Sequence, residues 1–270
     1  MKKAAVIGWP LQHTKSPLIH GHWLETYGIA GSYEAKPIAP DALEEEIEKM
    51  CDAGYAGFNV TVPHKEAMLD IVDYLRPDAE AIGAVNTVVI NSDGSLEGRN
   101  TDAFGFIMNI RENQPDFKFS GSALILGAGG AARALVYALQ NEGMKDVRIA
   151  NRTEQRATML ANSFPCASGH AWDAIPEIIT DVNLIVNATS LGMTGQPPLE
   201  IDLSDAHQSA LVNDIVYSPL QTDLLQSANA FGLRTVTGIG MLLHQARPAF
   251  QAWFGIMPDV DHALRKKVMG

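Results

Sequence analysis

Three polar residues lie close together where a strand-like run leads into a predicted helix. Asn59 and Thr61 alternate with apolar residues over 58–62. Because side chains alternate between the two faces of a strand, we expect the amide and the hydroxyl to share one face and the apolar residues to pack on the other. Lys65 follows within the first turn of the helix, which Pro63 begins. A polar pair and an amine at the end of a strand indicate a binding site for a small ligand.

A glycine-rich turn follows the apolar strand 122–126 and opens another predicted helix. Its residues are Gly127, Ala128, Gly129, Gly130, Ala131 and Ala132, the G-x-G-x-x-A form of the dinucleotide-binding fingerprint. Glycine permits the tight turn and lets the backbone approach a pyrophosphate, which the helix N-terminus attracts. The first five of these residues are therefore predicted to contact a dinucleotide, in a Rossmann-type domain.

The residues after the next strand indicate which dinucleotide binds. NAD-binding domains usually carry an acid there for the ribose hydroxyls, whereas this sequence has Asn151, Arg152 and Thr153, with Arg156 beyond. An arginine can pair with a 2′-phosphate, and no acid at that position repels it, so the predicted cofactor is NADP. A purely structural interpretation is that Thr153 caps a helix over 154–162 and that Arg152 is a surface charge.

Lys65 suits the role of proton donor in the reduction of a ketone. Hydride transfer builds negative charge on the carbonyl oxygen, so a proton donor must lie beside it. An isolated lysine would be interpreted as a surface charge, but the position after Asn59 and Thr61 favours catalysis. Asp102 is a candidate neighbour for the amine, although the sequence alone favours a cap, by Thr101 or Asp102, on a helix over 103–113.

The elements that must position these residues alternate between strand and helix, which favours mostly parallel sheets with crossover helices. The predicted strands cover 4–8, 32–37, 84–91, 95–98, 122–126, 146–150, 183–188 and 211–216, and the predicted helices cover 16–27, 41–53, 63–75, 103–113, 131–142, 154–162 and 241–254. Asp93-Gly94 predicts a hairpin between two of the strands. The predicted fold class is α/β, with an N-terminal α/β substrate domain of mostly parallel sheet and a Rossmann-type dinucleotide-binding domain.

The composition excludes several classes of protein. A chain of 270 residues with 46% hydrophobic and 19% charged residues can bury a sizeable core. A net charge of −11 argues against a nucleic-acid or anionic-membrane partner. The two cysteines, and the absence of a secretory or membrane-spanning segment, predict a cytoplasmic protein. Four histidines, His13, His20, His22 and His64, lack further ligands at metal-site spacing, so no metal is predicted.

Blocks of residues recur along the whole chain in the order and spacing of one known family. The blocks are Gly8-Trp9-Pro10 with Ser16-Pro17 and His20; Gly57 to Lys65; Ala81 to Thr87; Gly98 to Asp102 with Gly105; the glycine-rich turn; Asn151 to Thr153; Asn187 to Met193; Asp214 to Tyr217 with Pro219-Leu220; and Gly238 to Ala246. Together they resemble the shikimate dehydrogenase family. The resemblance implies reduction of 3-dehydroshikimate to shikimate with NADPH, a step towards the aromatic amino acids.

The same resemblance implies roles for individual residues. It makes Lys65 and Asp102 the catalytic pair, and it adds contacts to both ligands. The implied substrate contacts are Thr14, Ser16, Asn59, Thr61, Lys65, Asn86, Asp102, Tyr217 and Gln245, and the further cofactor contacts are Thr189, Ser190, Met193, Ile215, Gly238 and Met241. Without the resemblance, Asn86 would be interpreted as a turn residue, Tyr217 as an amphipathic tyrosine, Gln245 as a surface amide and Met241 as part of a core-facing helix stripe. Residues 1–102 and 239–270 are expected to form the substrate domain, and 103–238 the NADP domain.

The sequence leaves the exact substrate and activity open. The family usually has a Ser-x-Ser pair where this chain has Thr14-Lys15-Ser16, so Thr14 keeps the hydroxyl and adds a methyl group. The nearest alternative function is a quinate or dual quinate/shikimate dehydrogenase, with NAD as a further option. More distant candidates are an oxidoreductase acting on a different cyclic acid and a regulatory protein that binds the nucleotide without turnover. The expected partner is a small-molecule substrate, and the sequence is compatible with a homodimer.

Overall fold

A computed structural model describes residues 1–11 and 14–270, and the chain forms two compact units. Unit 1 contains Met1–Asp102 and Leu243–Gly270, and unit 2 contains Ala103–Leu242. The second division therefore falls within helix Ile239–Phe254 rather than at residue 239. The first turn of that helix belongs to unit 2, where a Cβ at Gly240 would lie 1.9 Å from Asn109 Oδ1. The absence of a side chain at this position permits that close approach.

Each unit contains one six-stranded sheet, and the sheet of unit 1 is mostly parallel. In unit 1 the order is β2-β1-β3-β5-β6-β4, and β5 alone runs antiparallel to its neighbours. These strands are β1 Lys2–Gly8, β2 Gly31–Pro37, β3 Tyr55–Val60, β4 Tyr74–Leu75, β5 Thr87–Ile90 and β6 Leu96–Arg99. The hairpin predicted at Asp93-Gly94 is confirmed, since β5 pairs with β6 and Asp93 Oδ1 accepts from the backbone N–H of Ser95 at 3.0 Å.

The sheet of unit 2 is wholly parallel, with order β12-β11-β10-β7-β8-β9. Its strands are β7 Ser122–Leu126, β8 Asp146–Asn151, β9 Ala167–Ala171, β10 Leu184–Asn187, β11 Leu211–Asp214 and β12 Arg234–Val236. This is the doubly wound order, whose direction reverses between β7 and β10, where ligands bind in open α/β sheets. The predicted fold class, including the Rossmann-type second sheet, is confirmed.

Ten helices occur within the described residues. They are α1 Ser16–Thr26, α2 Leu43–Asp52, α3 Pro77–Ile82, α4 Asp102–Asn113, α5 Gly130–Asn141, α6 Glu154–Ala161, α7 Ile175–Ile178, α8 Asp223–Ala230, α9 Ile239–Phe254 and α10 His262–Met269. α2 shows the pattern that folds them, because Leu43, Ile47 and Met50 are buried on one face while its acidic residues lie outside. None of these helices is long and apolar enough to span a membrane.

The prediction of a helix from residue 63 to 75 is wrong. The chain forms turns over 62–66, a short 3₁₀ helix at Ala67–Leu69 and then β4. The carbonyl of Lys65 accepts from the N–H of Val85 at 2.8 Å, so it is not bonded to the amide of Leu69, which donates to Glu66 instead. An α-helix needs that i to i+4 bond. A long-range backbone contact therefore replaces the helix that the apolar spacing predicted.

Burial on the strand before Lys65 follows the prediction only in part. Phe58 and Val60 are 0% and 2% exposed, as the alternation predicted, whereas Val62 is 69% exposed. β3 ends at Val60, so the residues after it no longer follow the alternation of the sheet. The prediction that Val62 packs in the core is wrong.

An aromatic cluster closes the core of unit 1. Trp23, Phe250 and Trp253 are almost completely buried, and Trp253 Nε1 donates to the backbone carbonyl of Val88 at 3.0 Å. Gly57, whose φ is +150°, makes this contact possible. A Cβ at Gly57 would lie 2.1 Å from the Val88 oxygen and 2.2 Å from Trp253 Nε1. Helix α9 thus packs on the sheet at a position that only glycine can occupy without displacement.

Candidate active site

Lys65 and Asp102 form an ion pair in unit 1. Lys65 Nζ lies 2.5 Å from Asp102 Oδ2, and the two side chains are 16% and 8% exposed. Asp102 is the first residue of α4, and its carboxylate bonds to Lys65 and Asn86. The Asp102 N–H donates to Asn100 Oδ1 at 3.0 Å. The side chain of Asn100, which the sequence patterns did not single out, therefore bonds the first helical N–H and leaves the Asp102 carboxylate to face the amine.

The turn that carries Lys65 is anchored on both sides. The Lys65 carbonyl accepts from Val85 N–H, and the His64 N–H donates to the Thr61 carbonyl at 3.0 Å. The buried ring of His64 places Nε2 2.7 Å from the Ile38 carbonyl oxygen, which can only accept, so this nitrogen carries the proton. These bonds fix the backbone from which the Lys65 amine reaches Asp102.

Asn86 connects the ion pair to the sheet. Its Nδ2 donates to Asp102 Oδ1 at 2.8 Å and to Thr101 Oγ1 at 3.0 Å, and its Oδ1 accepts from the Thr101 N–H at 2.9 Å. Its backbone bonds to Val60 on β3 and to Arg99 on β6. Asn86 lies immediately before β5, so it occupies a turn position and also bonds to Asp102 of the proposed catalytic pair.

Asn59 has protein partners at both ends of its amide. Its Oδ1 accepts from Tyr33 Oη at 2.7 Å, and its Nδ2 donates to Thr87 Oγ1 at 3.1 Å and to the Asn86 carbonyl at 3.3 Å. Thr61 is partly exposed beside it, and its methyl group lies against Gly8, where a Cβ would be 2.4 Å away.

The remaining predicted substrate residues lie at three places. Thr14 Oγ1 is 3.3 Å from both the N–H and the Oγ of Ser16, the buried first residue of α1. Gln245 on α9 places Oε1 3.4 Å from Thr101 Oγ1. Tyr217 belongs to unit 2, where it follows β11 and burial raises the pKa of its phenol.

His20 is buried under this site and makes no hydrogen bond through either ring nitrogen to the described residues. Its ring stacks on Tyr33 with centroids 4.0 Å apart. Burial lowers the pKa of His20 to about 3, against an opposing effect of Asn59, so the ring is neutral near pH 7.

Within residues 1–11 and 14–270 no cluster of His, Cys, Asp or Glu has the geometry of a metal site, and His13 lies outside the described residues.

The glycine-rich turn of unit 2 joins β7 to α5 at the point where the strand order reverses. Gly127 has a φ of +102°, and a Cβ there would lie 2.9 Å from Thr189 Cγ2. A Cβ at Gly129 would meet nothing within 4 Å, so open space adjoins the N-terminus of α5. Ala128, Gly130 and Ala131 are partly exposed around it. This open cradle at a helix N-terminus suits the pyrophosphate of a dinucleotide.

The residues after β8 present two exposed arginines. Among the described residues neither Arg152 nor Arg156 forms an ion pair. Asn151 Nδ2 donates to the carbonyl of Thr153 at 2.8 Å. Thr153 occupies the position before α6, but its hydroxyl makes no capping bond, so the interpretation of Thr153 as a side-chain cap is wrong. The guanidinium groups are available to an anionic ligand.

A buried polar network holds the loop after β10. Thr189 donates to Asn187 Oδ1 through its N–H at 3.0 Å and its hydroxyl at 2.7 Å, and Asn187 Nδ2 donates to Asp214 Oδ1 at 2.9 Å. Asp214 also accepts from the Thr222 hydroxyl at 2.6 Å. Asn187 and Asp214 thus fix the position of Thr189, a predicted cofactor contact. Both residues begin blocks that the chain shares with the family, but neither of them had a role predicted from the sequence.

The other predicted cofactor residues differ in exposure. Ser190 and Met193 are exposed, Ile215 is partly buried, and Gly238 and Met241 are buried. A Cβ at Gly238 would lie 2.4 Å from the Ile215 carbonyl oxygen, so the absence of a side chain lets the two segments pass each other.

Three family models match the chain. The model described as the shikimate dehydrogenase substrate binding domain matches residues 6–88, that of shikimate/quinate 5-dehydrogenase matches 112–196, and that of the shikimate 5′-dehydrogenase C-terminal domain matches 238–266. The shikimate dehydrogenase (NADP⁺) of Rhodospirillum rubrum is 50% identical over 273 residues, which cover 99% of this chain and 96% of that protein. The same enzyme of Paramagnetospirillum magneticum is 50% identical over 268 residues, with 98% and 97% coverage.

Solved structures give the same result. The shikimate 5-dehydrogenase of Thermus thermophilus, in complex with NADP(H) and shikimate, has a TM-score of 0.89 and 38% identity, with 99% of this chain and 98% of that chain covered. The quinate dehydrogenase of Corynebacterium glutamicum, in complex with NAD, has a TM-score of 0.91 and 32% identity, with 98% of each chain covered. The resemblance seen in the sequence is confirmed: the chain belongs to the shikimate dehydrogenase family.

Proposed function

We propose that this protein catalyses the reversible, NADPH-dependent reduction of 3-dehydroshikimate to shikimate. The observation that carries the proposal is the buried ion pair of Lys65 and Asp102, whose amine is held at 2.5 Å from the carboxylate. Relatives with about half of their residues identical over nearly the whole chain are NADP-dependent shikimate dehydrogenases. Unit 1 is the proposed substrate domain and unit 2 the proposed NADP domain.

The amine of Lys65 donates a proton to the carbonyl oxygen of the substrate. When bound, NADPH supplies the hydride that reduces the carbonyl carbon. Asp102 holds the ammonium group through Oδ2, and Asn86 holds Asp102 through Oδ1, so the proton donor needs little rearrangement when charge develops on the substrate oxygen. In the oxidation of shikimate the neutral amine takes the hydroxyl proton.

Recognition of the substrate is assigned to the side chains around this pair. Thr14 and Ser16 offer two hydroxyls at the start of α1, and Thr61 and Gln245 offer groups that suit ring hydroxyls. Asn86 already uses both N–H groups of Nδ2 and both lone pairs of Oδ1 within the protein, so its proposed substrate contact requires that one of these bonds be exchanged for a bond to the substrate. Tyr217 is assigned to the substrate from unit 2. Asn59 already bonds to Tyr33 and Thr87, so its proposed substrate contact is limited to the remaining lone pair of Oδ1.

The cradle at α5 and the two exposed arginines after β8 suit the cofactor. Gly127, Gly129 and the N-terminal turn of α5 would hold the pyrophosphate, and Arg152 with Arg156 would hold the 2′-phosphate. Thr189, Ser190, Met193, Ile215, Gly238 and Met241 are proposed to line the remaining cofactor surface. A homodimer and a cytoplasmic location stay predictions.

A second candidate function is quinate oxidation, alone or beside shikimate oxidation. It is favoured by the likeness to the quinate dehydrogenase of C. glutamicum. Values of kcat/KM for shikimate and quinate, each with NADP⁺ and NAD⁺ and measured from the absorbance of the reduced cofactor, separate the candidates. The highest value is expected for shikimate with NADP⁺, and a higher value for quinate would overturn the proposal.

Variants of the ion pair test the mechanism. Lys65→Ala is expected to lower kcat by about 10²- to 10⁴-fold with a smaller effect on substrate affinity, because proton transfer matters mainly in the transition state. Asp102→Asn is expected to lower kcat by at least about tenfold. Lys49→Ala, which removes an exposed lysine on α2, serves as the control and should leave kcat unchanged. An unchanged kcat for Lys65→Ala would discard the proton-transfer role.

A further inference from the structure

A continuous run of side-chain hydrogen bonds leads from Tyr33 to Asp102 in unit 1. The run is Tyr33 Oη to Asn59 Oδ1 at 2.7 Å, Asn59 Nδ2 to Thr87 Oγ1 at 3.1 Å, Thr87 Oγ1 to Asn86 Oδ1 at 2.9 Å, and Asn86 Nδ2 to Asp102 Oδ1 at 2.8 Å. Thr87 lies in the middle of this run and is completely buried on β5. It belongs neither to the catalytic pair nor to the proposed ligand contacts.

The chemistry of the partners fixes which atom donates at Thr87. The backbone carbonyl of Asn86 can only accept, so the Asn59 atom 3.3 Å from it is the donor Nδ2. The same Nδ2 donates to Thr87 Oγ1. Because a hydroxyl has one proton and Asn59 supplies the bond on one side, the proton of Thr87 is left for Asn86 Oδ1. Burial also raises the pKa of the Tyr33 phenol, which therefore keeps the proton that it donates to Asn59.

The amide of Asn86 is oriented by what its oxygen accepts. Oδ1 receives the Thr87 hydroxyl and the Thr101 N–H, each at 2.9 Å. A flipped amide would direct its NH₂ group at these two donors. The observed orientation directs Nδ2 at Asp102 Oδ1, which leaves Asp102 Oδ2 for the amine of Lys65.

We propose that Thr87 is a positioning residue for the reaction: its hydroxyl fixes the amide of Asn86, which in turn holds the carboxylate of Asp102 against Lys65. The inference rests on the proposed function. The competing explanation is that Thr87 is an ordinary strand residue chosen for its branched side chain. Valine has nearly the same shape and lacks the hydroxyl, so Thr87→Val separates the two explanations.

The first experiment compares Thr87→Val with Thr87→Ser in the shikimate assay. The valine variant should lower kcat about fivefold, as expected for one buried hydrogen bond, and should leave the KM for NADP⁺ unchanged. The serine variant, which restores the hydroxyl, should stay within about twofold of the unmodified protein. Val88→Ala, a buried change at the next residue of β5, should lower the unfolding temperature and leave kcat unchanged. Equal kcat values for the valine and serine variants would overturn the proposal.

The second experiment asks whether Thr87 acts through Asn86. In an Asn86→Ala background, Thr87→Val should change kcat/KM less than about twofold, because the amide that it orients is gone. The same fold-loss in both backgrounds would show a role independent of Asn86 and would overturn the proposal.

A third measurement does not depend on turnover. Hydrogen exchange of the Asn86 side-chain amide, followed by NMR, should be slow in the unmodified protein and in Thr87→Ser, and faster in Thr87→Val. If the unmodified protein shows no activity with shikimate but the three proteins show this exchange pattern, the proposed function is rejected and the positioning of the Asn86 amide by Thr87 is retained. Equal exchange in all three proteins would reject the positioning role itself.

Discussion

Each of the two carboxylate oxygens of Asp102 has its own partner, Lys65 at Oδ2 and Asn86 at Oδ1. Both acidic and basic groups are largely removed from water, so the loss of either would leave the other charge poorly solvated. The orientation of the ion pair therefore depends on uncharged polar residues that bond to Asp102. Asn86 and Asn100 determine where the carboxylate points, through its Oδ1 and through the backbone N–H.

The proposed preference for NADP assigns the 2′-phosphate to Arg152 and Arg156, which follow β8. Arg152→Asp should weaken NADP⁺ binding at least about tenfold more than NAD⁺ binding, because it replaces attraction to the 2′-phosphate by repulsion. Lys145→Asp is the matched control, since Lys145 is an exposed cation next to the opposite end of the same strand. The measurement is the dissociation constant of each nucleotide for the unmodified protein and both variants. Equal losses of affinity for NADP⁺ and NAD⁺ in the Arg152 variant would contradict the assignment.

At the scale of elements, local patterns predicted most of the fold. The strand, glycine turn and helix over 122–142 follow from residues that are neighbours in sequence, and the structure has β7 and α5 there. The helix predicted after Lys65 fails because its backbone bonds to Val85, twenty residues away. The elements that the sequence patterns did not predict are all short. They are helices α3, α7, α8 and α10 and strands β4, β9 and β12.

The contacts within the site could be predicted only in part. Lys65 and Asp102 stand out by type and by family resemblance, and the structure brings them together. Thr87 and Asn100 lie in blocks that the chain shares with the family, but neither of them had a role predicted from the sequence, because a buried threonine on a strand and an asparagine before a helix have ordinary structural explanations. Their partners become visible only when β3, β5 and the start of α4 are placed side by side.

Strand β11 ends in a carboxyl group whose titration should be measurable. Burial raises the pKa of Asp214, while bonds from Thr222, the Val216 N–H and Asn187 oppose the shift. A raised pKa means that the folded protein takes up the proton first as pH falls, so this contribution to stability is present below about 3.8 and is lost as pH rises through the folded-state pKa.

The unmodified protein should therefore gain stability relative to Asp214→Asn as pH is lowered from 7 towards 4. The gain is at most about 1.4 kcal/mol per pH unit. Urea unfolding of both proteins across this range measures the difference in the free energy of unfolding. A difference that stays constant, or that shrinks as pH falls, would contradict the prediction.

At the scale of the whole molecule, the discontinuous unit 1 depends on how α9 packs against its sheet. Gly57→Ala should lower the free energy of unfolding by about 2–4 kcal/mol, because the added methyl group would displace Trp253 from the Val88 carbonyl. Gly54→Ala is the control: Gly54 also has a positive φ, of +70°, but a Cβ there meets nothing within 4 Å. It should cost only about 1 kcal/mol of backbone strain. Equal losses in the two variants would contradict the role given to Gly57.

The discontinuity of unit 1 also bears on the order of events during translation. Lys2 Nζ donates to the Trp253 carbonyl, and Trp253 Nε1 donates to Val88, so the N-terminal sheet gains these partners only after residue 253 has left the ribosome. Residues 103–242 form a contiguous unit that is complete earlier. We therefore expect the nascent chain to acquire protease resistance first in its middle segment, while the segment synthesised before it stays susceptible to cleavage.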